Sequence, residues 1–428
     1  VQSGYSGAPY VPKEEYIDPE LQTMTLIDNA ARMLRSQTGE EKAPKEGTCS
    51  QLEAIVRHID VVGKVCGVTP YRLWLEPLGD LLPLESIPAY TRRVTYSEAG
   101  WKPTQNENWM NIVVGMIDDP SRQAQYPLEL NFAQKGSIVL YGMPVSGKST
   151  FVQTLVASIA ATHSPDDCQI TWFDFGGNTT RCFNALPHCA GNIFHQAEQV
   201  LGALAYFERE IHRRQAVLAE ADVGSITAYR EEKSEVMPAL LLIIDNFAVF
   251  RELFSDAVQR LVLLAREGSP CGIYLLITSS SVNSVNRTLL DYCKQILTLQ
   301  LNEKNDYASV LGRLNGVLPA AKAGRGTLRR DKNEPLTEFQ TAIFGEAAEE
   351  SRRRKALTEQ SEAMAAVWNR PPERRIDDAP LPTRAAQPRK RKKIESETVR
   401  AKPPFVRMNH EPYALELTDA SGNRVYLP

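Results

Sequence analysis

The feature that most constrains the fold of this chain is a loop bounded by two glycines. Its residues, with the one that follows it, are Gly142, Met143, Pro144, Val145, Ser146, Gly147, Lys148, Ser149 and Thr150. The loop fits the pattern G-x-x-x-x-G-K-[ST]; residues 137–141 before it are typical of a buried strand, and residues 151–161 after it have helical apolar spacing. This order predicts a loop whose backbone N–H groups, together with the helix N-terminus, bind the phosphates of a nucleotide. The alternative is a glycine-rich turn without a ligand.

Side chains in and beyond the loop predict ATP and Mg²⁺ as its ligands. Lys148 would reach the β- and γ-phosphates, and the Ser149 hydroxyl would bind Mg²⁺. A second acid on a neighbouring strand should complete the metal shell, and Asp245 closes the apolar run 240–244. We therefore assign Lys148 and Asp245 to catalysis, and Ser149 and Asp245 to the metal. The alternative for Asp245 is a strand cap.

The residue after Asp245 bears on turnover. A hydrolytic site of this kind commonly has a glutamate there, and general-base catalysis contributes about 10²–10⁴ in rate. Here the residue is Asn246, whose amide cannot accept a proton. Glu252 lies further along the chain and is a poor substitute. The sequence therefore predicts a degenerate catalytic position at Asn246, and ATP binding with slow or absent hydrolysis.

Two further groups of polar residues follow predicted strands. Asp174 precedes the pair 176–177 of glycines, which fits either the edge of a nucleotide cleft or a tight turn. The hydroxyl residues 278–280 follow the next strand, where they fit either a sensor of the γ-phosphate or a capped turn. Both interpretations stay open for each group.

Arginine and histidine side chains are the remaining candidates. Three arginines could act in trans on a neighbouring site or simply lie at the surface: Arg266, Arg313 and Arg325. His188 and His195 lack the spacing of metal ligands, so we expect them to be structural.

The wider pattern predicts an α/β fold with a mostly parallel sheet and helices on both faces. Continuous apolar runs typical of buried strands alternate with helical segments, as parallel sheets require. The predicted strands are 112–116, 126–132, 169–175, 239–245, 272–278 and 295–301, with helices at 196–219 and 255–266. We place this domain at 111–345, after a tail and a helical, proline-rich linker at 1–110 with helices at 21–35 and 50–65.

Composition excludes several other classes of protein. A net charge of −3 gives no general reason to expect nucleic-acid binding. The seven cysteines are dispersed without C-x-x-C pairs, which indicates reduced thiols rather than disulfides or zinc. No apolar run approaches the roughly 20 residues that span a bilayer.

The segment 346–403 differs in composition from the domain before it. Residues 351–400 contain 14 Lys and Arg against 7 Asp and Glu, with many prolines, and residues 389–393 are the most basic part. We interpret the segment as a basic, proline-rich interdomain linker, and the alternative is a patch for nucleic acid or anionic membrane. The end, 404–428, has a strand-like pattern and predicts the start of a following module.

Several short segments together resemble one family. They are 2–10, 73–78, 115–120, 127–130, 173–177, 186–188 and 243–246. The chain resembles the EssC/EccC coupling ATPases of type VII (ESX) secretion systems, within the FtsK/SpoIIIE family of RecA-like P-loop motors. The resemblance implies a middle, second ATPase module, with 1–10 similar to the end of the preceding module.

The resemblance also implies a place and partners. These are neighbouring ATPase modules of the same protein, WXG100-type secretion substrates and other type VII secretion components, with no nucleic acid. The location is the cytoplasmic side of the bacterial cell membrane, as a soluble part of a larger membrane protein that meets the membrane only through parts outside this chain.

Two departures from the family bear on activity. Asn246 replaces the glutamate of active motors, and residues 279–281 are serines where FtsK-like strands usually carry a Gln-Arg sensor. Both predict a degenerate module that binds nucleotide as a structural or regulatory ligand. An FtsK-like translocase of double-stranded DNA is the alternative, and it would predict that glutamate, that sensor and a winged-helix tail. A scaffold with a vestigial loop is a third hypothesis, against which Lys148 and Ser149 argue.

Overall fold

The computed structural model describes most of the chain up to residue 376. The described ranges are 49–67, 75–104, 109–177, 180–233, 237–314, 318–319, 321–330, 334–345, 349–371 and 374–376, with the backbone of short strands at 9–10, 407–408, 415–418 and 424–427. The helix predicted at 21–35 lies outside the described residues. No helix among those described is long and apolar enough to cross a membrane.

The strands are β1 (Pro9–Tyr10), β2 (Cys49–Ser50), β3 (Tyr96–Ser97), β4 (Gly100–Trp101), β5 (Asn111–Asp119), β6 (Ala124–Asn131), β7 (Ile138–Tyr141), β8 (Cys168–Asp174), β9 (Ile193–Phe194), β10 (Ala239–Asp245), β11 (Ile273–Ser279), β12 (Gln295–Thr298), β13 (Arg325–Arg329), β14 (Leu336–Thr341), β15 (Arg407–Met408), β16 (Leu415–Thr418) and β17 (Arg424–Leu427). The helices are α1 (Gln51–Val65), α2 (Pro88–Thr91), α3 (Phe132–Lys135), α4 (Lys148–Thr162), α5 (Ala197–Glu220), α6 (Ile226–Glu232), α7 (Phe247–Leu253), α8 (Val258–Gly268), α9 (Arg287–Leu290), α10 (Lys304–Leu311) and α11 (Glu350–Trp368). Short 3-10 helices occur at Leu84–Ser86, Pro120–Arg122, Arg181–Phe183 and Ser255–Ala257.

One large mixed sheet organises the domain, in the order β6-β5-β14-β13-β12-β7-β11-β10-β8-β9. All neighbours from β12 to β9 are parallel, which confirms the predicted mostly parallel sheet. The neighbours from β6 to β12 are antiparallel and extend the sheet on one side. The parallel strands therefore end together at one edge, and the glycine loop after β7 lies there.

The central strands are buried on both faces, as their continuous apolar sequences require. Every residue of β10 and β11 is buried. Alternate residues of β10 enter different cores: Leu241 and Ile243 pack with α4 on one face, and Leu242 and Ile244 pack with α5, α7 and α8 on the other. Helices thus cover both faces, as predicted.

The sequence did not predict the hairpin of β13 and β14 or the packed helix α11. β13 and β14 are short and polar, and they become strands by pairing between β12 and β5. α11 occupies the start of the segment predicted as a linker, and it buries Leu357 and Met364 in the core. The division into modules remains a prediction.

The described residues before the domain fall into an exposed helix and a packed segment. The helix predicted at 50–65 is present as α1, where Ser50 and Glu53 form a capping box and no residue is buried. The 3-10 helix Leu84–Ser86 and α2 do pack on the sheet, through Leu84, Ile87 and Tyr90.

The cysteines whose side chains the structure describes carry free thiols. Cys66 is exposed, and the others are buried: Cys168, Cys182, Cys189, Cys271 and Cys293.

Candidate nucleotide-binding site

The glycine loop connects β7 to α4, and α4 begins at Lys148. Gly147 is the N-cap of α4 with φ of 104°, a conformation that favours glycine. A Cβ at Gly142 would collide with Ser146 Oγ, which is buried and makes no hydrogen bond to the described residues. Val145, at the tip, is 95% exposed. The loop is therefore tight at its base and open to solvent at its tip.

Lys148 folds back over its own loop. Its Nζ donates to the carbonyl oxygens of Gly142 at 2.6 Å and Met143 at 3.0 Å. Burial lowers the pKa of Lys148 by desolvating the ammonium, whereas the nearby Asp245 carboxylate opposes this shift. The lysine and the acid at the end of β10 thus share one electrostatic environment, as their sequence pattern predicts.

Asp245 is a buried acid with one unsatisfied oxygen. It is 3% exposed, and its Oδ1 accepts from the Thr278 hydroxyl at 2.5 Å. Its Oδ2 makes no hydrogen bond to the described residues, and Gly176 leaves room for it because a Cβ there would collide with it. Burial raises the pKa of Asp245, and the Asp174 carboxylate raises it further. A cation beside Asp245 would relieve both effects.

The donor set fits a weakly held magnesium ion. Mg²⁺ binds oxygen and usually keeps several waters, with one or two carboxylates and the substrate phosphates. The open carboxylate oxygen of Asp245 could provide one protein ligand, and the hydroxyl of Ser149, which is partly exposed in the first turn of α4, could provide another. Among the described residues no cluster of three or more His, Cys, Asp or Glu could hold a metal alone. An ion here would depend on bound phosphates.

Asn246 is the N-cap of α7 and has the left-handed conformation, with φ of 67°. Its N–H donates to Thr278 Oγ1 at 3.0 Å, and its side-chain amide donates to the Phe175 carbonyl at 3.4 Å. The amide therefore ties the ends of β8 and β10 together and offers no basic group to the site.

The other polar candidates are engaged in local turns. Asp174 accepts from the Gly176 N–H at 2.9 Å and from the Thr180 hydroxyl at 2.8 Å, which favours the tight turn. The Thr278 hydroxyl is used by Asp245, and the Ser279 hydroxyl donates to the Ser281 carbonyl at 3.0 Å, which favours the capped turn.

The three arginines are placed very differently. Arg325 is 4% exposed, and its guanidinium donates to the Leu78 carbonyl at 2.6 Å, so it is neither at the surface nor free to act in trans. Arg266 is half-exposed and pairs with Glu267 at 2.8 Å, and Arg313 is exposed.

Both histidines make contacts to backbone. His188 is buried, and its ring is 2.9 Å from the His163 carbonyl. Burial lowers the pKa of His188 to about 4. The ring of His195 lies 3.1 Å from the Asp174 carbonyl, beside the site. These contacts agree with the structural roles expected for them.

Sequence reasoning missed a turn that packs on the glycine loop. The Gly324 N–H, just before β13, donates to the Ser146 carbonyl at 2.8 Å. A Cβ at Gly147 would come within 2.7 Å of Gly324 N. The sequence signal for this turn is the pair of glycines, Gly324 and Gly326, on either side of Arg325.

The chain is similar in sequence to known proteins. The sequence profile of the FtsK/SpoIIIE family matches residues 98–326. The type VII secretion system protein EssC of Staphylococcus aureus is 26% identical over 339 residues, covering 78% of this chain and 22% of that protein. This chain thus spans about a fifth of the length of that relative.

Solved structures show the same fold. The cytoplasmic domain of the type VII secretion ATPase EccC of Thermomonospora curvata superposes with a TM-score of 0.62 at 21% identity, covering 93% of this chain and 44% of that chain. EssC (ATPases 2 and 3) of Geobacillus thermodenitrificans gives a TM-score of 0.61 at 19% identity, covering 82% and 62%. Because the family profile matches more than half of its residues, this chain belongs to the FtsK/SpoIIIE family.

Proposed function

We propose that this chain is an ATP-binding module of a type VII secretion ATPase, with weak or no hydrolysis of its own. The proposal rests on one observation. Lys148 interacts electrostatically with the buried Asp245, whose Oδ2 has no hydrogen bond to the described residues, at the sheet edge where the glycine loop lies. A partly buried lysine of lowered pKa near a buried acid of raised pKa is typical of a site that binds a charged ligand.

Each residue of the site has a separate task in binding. The loop amides and the N-terminus of α4 would hold phosphate oxygens, and Lys148 would leave the carbonyls of Gly142 and Met143 for the β- and γ-phosphates. Ser149 and Asp245 would hold Mg²⁺, which supplies neutralising charge between the phosphates when it is bound.

We expect weak turnover because of the side chains that would surround the bound phosphates. Asn246 cannot take a proton from water, and its amide is committed to the Phe175 carbonyl. The described residues near Asp245 include one other carboxylate, that of Asp174, and both of its oxygens accept hydrogen bonds. A nucleotide would therefore stay bound and intact much longer than at an active motor site.

The secretion context is taken from the relatives. EssC is named as a type VII secretion system protein, and EccC as a type VII secretion ATPase. We infer that this module works beside other ATPase modules of one long protein, on the cytoplasmic side of the bacterial membrane. Its further partners would be WXG100-type substrates and other secretion components rather than nucleic acid.

Equilibrium binding and turnover test the proposal. We expect the chain to bind ATP–Mg²⁺ with little phosphate release, and Lys148→Ala to lower affinity at least 100-fold, about 3 kcal/mol. Ser121→Ala, at an exposed site, is the matched control. Unchanged affinity in Lys148→Ala would contradict the site. Turnover stimulated by double-stranded DNA would favour a translocase, and no binding at all would favour a scaffold.

A further inference from the structure

We propose that Arg325 is a positioning residue for the nucleotide, through which the segment 78–80 controls the shape of the glycine loop. The segment lies before the domain, in the region that the sequence assigns to a linker. This inference rests on the proposed ATP site and concerns its regulation. It is carried by a continuous path of contacts from segment 78–80 to Ser146.

The path begins at the glycine loop itself. The Gly324 N–H donates to the Ser146 carbonyl, and the Gly324 carbonyl accepts from the Thr341 N–H, both at 2.8 Å. Gly324 has φ of +76°, and a Cβ there would come within 2.9 Å of the Gln340 side chain. The turn before β13 is therefore held between the glycine loop and β14 by one hydrogen bond on each side, so a shift of the turn reaches the loop directly.

The path continues through Arg325 to the segment. The Arg325 guanidinium donates to the Leu78 carbonyl at 2.6 Å, and its side chain is 5% exposed. The amide of Gln340, 2% exposed, donates to the carbonyls of Ala323 at 3.3 Å and Asp80 at 3.4 Å. Lys322 pairs with Asp80 at 2.5 Å on the outside. Three side chains near the Gly324 turn thus hold one short segment.

The buried contact dominates this set. Exposed pairs such as Lys322 with Asp80 contribute little, because water and salt screen them. A buried guanidinium that loses its carbonyl partner must instead find another or draw water in. If segment 78–80 moves away, the Arg325 guanidinium loses the Leu78 carbonyl and keeps the Glu338 carboxylate, which lies 3.8 Å from its Nε on β14. A guanidinium drawn towards Glu338 would shift the preceding residue, Gly324, whose N–H bonds to Ser146.

This arrangement couples two sites in both directions. Because coupling free energy is reciprocal, a nucleotide that orders the glycine loop also stabilises the contact of Arg325 with Leu78. A pull on the linker would in turn weaken nucleotide binding. A movement of the linker would then change the affinity of the module for ATP.

Arg325→Met tests the coupling, with Arg375→Met as the matched control. Arg375 is also a buried arginine, 2% exposed, that donates to a backbone carbonyl, that of Ile170 at 2.7 Å, away from the glycine loop. We expect the Kd for ATP–Mg²⁺ to rise about tenfold in Arg325→Met and to stay unchanged in Arg375→Met. Arg325→Lys, which keeps a donor, should restore part of the affinity. Thermal unfolding without nucleotide measures the cost to the fold in each variant.

A second measurement needs no substitution. Hydrogen exchange in the wild-type chain should slow on addition of ATP–Mg²⁺ in peptides covering 78–84 and 321–329, as well as in the glycine loop. Equal effects of Arg325→Met and Arg375→Met on Kd, or protection confined to the loop, would overturn the inference. A wild-type chain that binds no ATP would instead overturn the proposed function.

Discussion

Asn246 has a left-handed backbone conformation and stands where active motors of the family have a glutamate. Asparagine enters the left-handed region more easily than longer residues, and here its amide also bridges to Phe175. A glutamate at this point would have to adopt the same φ of 67° and lose that bridge. The asparagine thus stabilises the turn at the edge of the site but supplies no base for catalysis.

Asn246→Glu should therefore trade stability for turnover. We expect ATP hydrolysis to rise about 10²-fold, since a carboxylate can orient the attacking water, and the free energy of unfolding to fall by about 1 kcal/mol. Phosphate release and urea denaturation measure the two effects. Asn246→Gln is the control, because glutamine is as long as glutamate but has no basic group. An equal rise in hydrolysis for Asn246→Gln would contradict the explanation.

Asp245 is a second residue whose role in function should lower the stability of the folded protein. Its pKa is raised in the folded state, so the native protein binds this proton more tightly than the unfolded chain. Stability therefore falls as pH rises from the ordinary pKa of an aspartate through the raised value. At neutral pH the ionised carboxylate is a cost.

Asp245→Asn should remove that cost while it abolishes function. We expect the nucleotide-free protein to become more stable at pH 7 by about 1 kcal/mol, and Mg²⁺-dependent ATP binding to be lost. Calorimetry at pH 7 and pH 4 gives the stability, and titration with Mg²⁺ gives the binding. A variant less stable than wild type at pH 7 would refute the electrostatic argument.

At the scale of elements, sequence pattern was informative where a strand's own residues decide its structure. β10 was predicted with its observed bounds, because seven consecutive apolar or terminal acidic residues leave few other folds. β13 carries two arginines and β14 alternates weakly, so both depend on partners far away in sequence. The site shows the same difference. Local sequence patterns predict Lys148 and Asp245, whereas the Gly324 turn depends on its contact with Ser146, which is far away in sequence.

α11 shows how composition can conceal a packed helix. Its first residues are rich in arginine and glutamate, and its buried face consists of Leu357, Ser361 and Met364. These three recur at helical spacing, but such a thin apolar stripe differs little from that of an exposed linker.

Met364→Ala tests whether α11 belongs to the domain. Met364 is fully buried, and truncating a buried methionine costs about 2–5 kcal/mol. We expect the urea midpoint to fall in a single cooperative transition that includes the sheet. Glu362→Ala, on the exposed face of the same helix, should cost less than about 0.5 kcal/mol. Similar effects of the two variants would mean that α11 does not stabilise the domain.

At the scale of the whole molecule, stability should depend on acidity through His188. This ring is buried between the end of α4 and Trp101, and burial lowers its pKa from 6.5 to about 4. A depressed pKa means that the unfolded chain binds the proton first. The contribution is therefore complete above pH 6.5 and is lost as pH falls towards 4.

Acidification from pH 7 to pH 4 should accordingly cost about 3 kcal/mol at this one residue. Urea denaturation across that range measures the loss. In His188→Gln the pH dependence should be shallower by a similar amount, although the variant is less stable at pH 7. Parallel profiles for both proteins would show that another group controls acid unfolding.

The two outer strands of the large sheet have a consequence for molecules held close together. One edge strand, β6, contains Pro127, which has no N–H to donate, and the other, β9, has two residues. Neither edge offers a long row of free backbone groups on which another sheet could add. We therefore expect domains of this design to resist edge-to-edge pairing of their sheets even when they are held close together.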